Sequence, residues 1–158
     1  MLRRFGITGI PSADLDDLNR AWHRLDPWPD VVHGLARLKT RYIIAPKSNG
    51  NVALLVDMAK RAEIPWDAIL GAEVVRAYKP LPEAYLRHVE ILGLRPPQVM
   101  MVAAHNGDLG AAGACGLRTG FVPRPREHGP GQTTDLTPEG RYDLVAEDFG
   151  DLAGRMGC

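Results

Sequence analysis

From residue 40 onward, short apolar runs that stop at polar clusters alternate with helical patterns. Residues 42–45 (YIIA) read as a buried strand ending at the tip Ser48-Asn49-Gly50-Asn51, and residues 51–62 read as a helix with Val52, Leu55, Val56 and Ala59 on one face. A brief strand near 68–74 precedes a helix from about Pro82; a strand over 98–104 (QVMMVAA) stops at His105, Asn106 and Asp108, where residues 108–116 continue as a helix. Strands over RTGFVPR and near 142–147, and a last helix over 148–156, complete the series. This alternation predicts an α/β fold with a doubly wound parallel sheet. In such a sheet the polar tips at the carboxyl ends of the strands collect along one edge, where ligands bind. Ser48, Asn49, Lys79, His105 and Asp108 all fall at or just after such ends.

The first forty residues differ. Residues 12–25 (SADLDDLNRAWHRL) read as a helix, with Ser12 as N-cap, Asp14 and Asp16 at the positive end of its dipole, and Leu15, Leu18, Trp22 and Leu25 as an apolar stripe. After the breaker DPWPD, residues 30–39 form a second short helix.

Bulk properties exclude several classes. Lys+Arg and Asp+Glu both number 19 in the 158 residues, so the net charge is zero and nothing favours nucleic acid or an anionic membrane as partner. The densest basic stretches, RRF at the start and RPRE at 124–127, read as solvated surface. Cys115 and Cys158 fit neither a CxxC nor a Cys/His ligand pattern, so no disulfide framework or thiolate metal site is implied, which suits the cytoplasm. The N-terminus has no continuous apolar core of a signal peptide, and no run approaches the ~18 apolar residues of a membrane span.

Three stretches, APKSNGN, AYKPLPEAY and VMMVAAHNGDLGAA, stand in that order. Together they resemble motifs II, III and IV of the haloacid dehalogenase superfamily, and most of all its type II 2-haloacid dehalogenases. AWHRLDPWPDVV and FVPRPREHGPGQTTDL are similar to the same branch, so the likeness runs from about residue 5 almost to the end. The resemblance implies an (S)-2-haloacid dehalogenase-like hydrolase acting on carbon–halide bonds, without cofactor or metal. In it an aspartate attacks the halogen-bearing carbon of a short 2-haloalkanoate, and water then hydrolyses the ester. By the same resemblance Ser48 and Asn49 hydrogen-bond the substrate carboxylate, and Lys79 holds the nucleophile ionised. Tyr85 braces the lysine or the substrate, Asp108 pairs with Lys79 and helps place the water, and His105 and Asn106 line the wall. A homodimer follows only from family likeness.

Each residue also has a plainer reading. Ser48-Asn49-Gly50-Asn51 suits a helix-capping turn, Lys79 a surface lysine, Tyr85 a core aromatic, His105 a hydrogen-bonded loop histidine and Asp108 a helix cap. Two departures from the family pattern matter. Phosphatases of the superfamily, which use magnesium, carry an acid four residues before the Asp108 position; here it is Ala104, which leaves a hard cation short of oxygen ligands. Lys47 stands where an apolar residue is expected, and either intrudes on the carboxylate pocket or snorkels outward.

The nucleophile of the resembled family ends its first, central strand, followed by a Gly-Thr turn. No such motif is found: Asp14, Asp16, Asp17, Asp26 and Asp30 all lie in a helix or its flanking turns. Residues 1–30 therefore read as a remnant of the helical cap and residues 31–158 as the α/β core lacking its first strand, as a start site assigned too far downstream would produce. Such a chain is expected to be inactive alone. Each buried N–H or C=O left unpaired beside the empty slot costs about 1–3 kcal/mol. Either the flanking strands close up, or the N-terminal segment fills the slot, or the fold is marginal. The alternatives are a phosphatase of the same superfamily, with Mg as its cofactor, and a non-catalytic binding module that keeps the fold.

Overall fold

The computed structural model describes residues 2–158. After a 3₁₀ turn at Leu2–Phe5, α1 (Ser12–Arg20) passes into a second 3₁₀ turn, Ala21–Arg24, so the helix expected over 12–25 is split. Ser12 lies inside α1 rather than capping it; Pro11 holds the N-cap position and no side chain closes the turn. The apolar stripe stays largely uncovered: Leu18, Trp22 and Leu25 are 59%, 64% and 45% exposed.

The remaining helices are α2 (Val31–Lys39), α3 (Val52–Ala62), α4 (Ala72–Val75), α5 (Pro82–Ile91), α6 (Asn106–Ala114) and α7 (Phe149–Arg155). They follow the sequence pattern closely, except that α4 takes up the end of the strand expected near 68–74, which shortens to Leu70–Gly71. Asn51 caps α3, its side chain accepting from Leu54 N at 2.7 Å, and Asp148 caps α7 by accepting from Asp151 N at 2.7 Å. Pro82 opens α5, where its missing N–H costs nothing.

All strand pairs are parallel. β1 (Lys47–Ser48) pairs with β2 (Leu70–Gly71), Lys47 opposite Leu70. β3 (Met100–Ala103) pairs with β4 (Arg118–Phe121), which pairs with β5 (Leu144–Val145). Helices cover both faces of the second sheet, as expected of a doubly wound fold. On one side Leu35 and Leu38 of α2 and Leu152 of α7 pack on Val122 and Ala146. On the other, Tyr85 and Val89 of α5 and Leu109 of α6 pack on Met101 and Phe121. The α2–α7 contact depends on Gly34, where a Cβ would lie 2.4 Å from Phe149 Cβ.

The expected strand over 42–45 is not one. Ile44 exchanges bonds with Asp67 (Ile44 N to Oδ2, and Asp67 N to Ile44 O, both 2.9 Å), while Ile43 is 62% exposed. The regular pairing moves on to Lys47–Ser48, where β2 supplies a neighbour. A ladder needs backbone on its flank, and residues 42–45 have it on one side only.

β1 and β3 belong to separate sheets. Between them lies a cleft of about 240 Å³ whose walls include Ile44, Lys47, His88, Met100, Val102 and Leu117. No described residue before Leu35 lines it, so the flanking strands have neither closed up nor received the N-terminal segment. No helix among the described residues is long and apolar enough to cross a membrane.

Candidate active site

The carboxyl ends of β1 and β3 and the start of α5 bring Lys47, Lys79, Tyr85 and Asp108 together at the mouth of this cleft. Asp108 lies in the first turn of α6, whose N-terminal dipole favours its charge. One of its oxygens is paired with Lys79 Nζ; the other accepts from Tyr85 Oη at 2.6 Å. Tyr85 is 1% exposed, so it is at once a core aromatic and a polar partner. Burial, reinforced by the bond to Asp108 and its charge, pushes the phenol well above its ordinary value, and it stays a donor.

Lys47 does not snorkel. Its Nζ sits 4.8 Å from the centre of the Tyr85 ring and is buried without a hydrogen-bond partner. Burial first, then the Lys79 charge, brings it down to about 8, against a smaller opposing pull from Asp108. Beside it, burial also lowers His88, whose Nδ1 lies 2.7 Å from Ala84 O while its Nε2 has no partner. Two ammonium groups thus face one carboxylate, leaving an excess of positive charge at a sheltered mouth.

Ser48 and Asn49 form the neighbouring tip. Ser48 Oγ accepts from Gly50 N at 2.9 Å, which leaves its own O–H free to donate. Asn49 clasps the main chain of Lys79, accepting from Lys79 N at 2.7 Å and donating to Lys79 O at 3.3 Å. Gly71 permits this tip to seat on β2, because a Cβ there would lie 2.9 Å from Gly50 O.

His105 and Asn106 turn elsewhere. His105 Nε2 lies 2.8 Å from Glu127 Oε2. Asn106, 8% exposed, donates to Asp135 Oδ1 and Thr137 O and accepts from Glu139 N and Tyr142 Oη, which uses its whole amide. It ties the 135–142 segment to the start of α6 rather than presenting groups to the cleft. Glu127, Asp135 and Tyr142 carry no local motif, and nothing in the sequence pattern singles them out. Nor is RPRE plain surface: Arg124 pairs with Asp30 at 2.7 Å between the rings of Trp28 and Phe149.

The aspartates of the first thirty residues stay away from the cluster. Asp17 pairs with Arg24, Asp26 with Arg61 and Asp30 with Arg124, while Asp14 and Asp16 are exposed on α1. The donor set also fits magnesium poorly. Both oxygens of Asp108 are engaged, Ala104 offers none, and two ammonium groups repel a dication.

A family model described as haloacid dehalogenase-like hydrolase matches residues 4–116. The chain belongs to the haloacid dehalogenase-like hydrolases. Among curated relatives, (S)-2-haloacid dehalogenase 4A of Burkholderia cepacia is 36% identical over 112 residues, covering 69% of this chain and 48% of its own. The crystal structure of a defluorinating L-2-haloacid dehalogenase superposes with TM-score 0.95 at 57% identity, over 99% of this chain and 65% of that one. The L-2-haloacid dehalogenase of Xanthobacter autotrophicus with chloropropionic acid covalently bound superposes with TM-score 0.82 at 26% identity, over 98% of this chain and 70% of that one. The chain thus spans about half the length of the curated relatives it matches.

Proposed function

We propose that this member of the family serves the hydrolytic dehalogenation of short 2-haloalkanoic acids. The observation that carries the reading is the gathering of two lysines, Lys79 paired with Asp108 and Lys47 buried beside them without a partner, around a single carboxylate at the cleft mouth. That surplus of positive charge suits two further anions, the substrate carboxylate and an attacking aspartate. Ser48 donates its free O–H to the substrate carboxylate, and the Asn49 clasp keeps Lys79 in place beside it. In the first step a carboxylate oxygen bonds to C2 as the carbon–halogen bond breaks and halide leaves with the electron pair. In the second, water adds to the ester carbonyl; the 2-hydroxy acid leaves, the carboxylate is restored and a proton is released.

Asp108 is ill placed to attack, since Lys79 and Tyr85 occupy both its oxygens. The nucleophile therefore comes from a further extended segment lying in the cleft between β1 and β3. The apolar walls, the two facing strands and the lysines at the carboxyl end support such a segment, apolar along its length and ending in aspartate. On this reading residues 1–30 are a remnant of the cap, held to the rest by His23–Asp57 and Asp26–Arg61, and residues 31–158 are the core. Leu18, Trp22 and Leu25 form the face on which a second copy sits in a homodimer, to be checked by sedimentation of the wild type against Trp22→Glu. A small acid as substrate, no nucleic-acid partner and a cytoplasmic location complete the proposal.

Chloride release from 2-chloropropionate tests it. The chain alone should release none above buffer. Refolded with a peptide carrying an apolar strand, aspartate and a Gly-Thr turn, it should release chloride, and Lys79→Ala should abolish the release. Release by the chain alone, or none with the peptide although the peptide binds, would overturn the reading.

A further inference from the structure

Beyond the cleft, a second group of side chains gathers at the outer end of the α6 N-terminus. Among the described residues, one set of three could hold a metal ion: His105, Glu127 and His128, whose ligand atoms all lie within 4.8 Å of one another. His105 Nε2 is 2.8 Å from Glu127 Oε2, and the His105 and His128 rings are stacked with centroids 6.4 Å apart and planes 17° from parallel. We propose that these three side chains form a binding site for a borderline divalent transition ion such as zinc, nickel or copper.

Two imidazoles and one carboxylate suit such ions and leave a position for water. Adjacent ligand atoms around tetrahedral zinc are about 3.3 Å apart, given Zn–N and Zn–O bonds of about 2.0–2.1 Å. Closing the widest separation takes up to about 1.5 Å of movement. His128 supplies it, because its side chain is exposed. The backbone that carries the ligands is already organised. Glu127 N donates to Arg124 O, Gly129 N to Arg126 O, and His128 N to the Gln132 side chain at 3.1 Å. The turn is anchored in turn by Arg124, whose side chain is only 13% exposed in its pair with Asp30. His105 sits at the N-cap position of α6. A bound ion therefore links the 124–129 turn to the helix that carries Asp108, and replaces the present His105–Glu127 contact with a shared cation. The site is distinct from the magnesium position of superfamily phosphatases: magnesium prefers oxygen, and two of these three ligands are nitrogen. It does not depend on the dehalogenase reading.

Titration of the full chain with Zn²⁺, and with Co²⁺ as a spectroscopic probe, tests the proposal. One ion per chain should bind with a dissociation constant on the order of micromolar. His105→Ala, Glu127→Gln and His128→Ala should each weaken it by about tenfold or more, with Mg²⁺ failing to compete. Bound Co²⁺ should show d–d absorption without a thiolate charge-transfer band, which separates this site from Cys115 and Cys158. Thermal melts of the metal-free variants keep folding defects apart from ligand loss, and His128→Ala, on an exposed turn, should melt as the wild type does. Binding weaker than about 1 mM, equal binding by wild type and His128→Ala, or a thiolate band would overturn it.

Discussion

Lys47 is the residue whose behaviour is most informative. With its folded value brought to about 8 from 10.5, its ammonium is a burden on the fold wherever it is charged. Below about 8 both folded and unfolded chains carry the proton and the penalty is constant; between there and 10.5 the unfolded chain holds more protons, so stability rises with pH. Lys47→Met should therefore stabilise the chain at pH 7 by about 1–2 kcal/mol, a value reduced for the partial exposure of the side chain. The gain should shrink toward pH 10, as urea unfolding at the two pH values will show. The Asp30–Arg124 pair works in the opposite sense. Burial raises Asp30, but the bonds from Arg124 and Phe149 N outweigh it and hold the carboxyl below its usual range. Asp30→Ala leaves Arg124 sheltered and unpaired, and should cost about 3 kcal/mol in urea unfolding at pH 7. At this scale the resemblance of SNGN, YKP and HNGD to the family's motifs implies that Lys79 and Asp108 meet with Tyr85 beside them, and the three side chains do lie together. Glu127 and Asp135 are illegible for a physical reason: each lies in an irregular segment and reaches a partner on the far side of α6 and β4, so no periodicity records the contact.

Among the elements, helices are more legible in the sequence than strands. A helix satisfies its own backbone, so Asn51, the apolar face of α3 and Pro82 suffice to place α3 and α5. A strand is completed by a neighbour, and the apolar run over 42–45 lacks one on the cleft side; the same residues that predict a strand remain irregular. The α1 stripe has the right periodicity yet no covering surface, because periodicity states which face seeks burial and not what buries it. Two substitutions probe element packing, both read by chemical denaturation. Asn51→Ala should cost about 1 kcal/mol by removing the α3 cap. Gly34→Ala should cost about 1–3 kcal/mol, because its Cβ would meet Phe149 on α7.

Over the whole molecule, two parallel sheets flank an apolar cleft whose polar end gathers two lysines, a tyrosine and one carboxylate. On the proposed reading this architecture holds the charge partners of a nucleophile and leaves room for a strand that brings it. On that reading Asp108, with both oxygens held by Lys79 and Tyr85, orients and shelters rather than attacks. A single turnover of 2-chloropropionate in oxygen-18 water, by the chain assembled with an aspartate-bearing strand peptide, tests this most directly. The account predicts unlabelled 2-hydroxy acid and one heavy oxygen in the peptide's aspartate. Label in the product from the first turnover, or in Asp108, would contradict it.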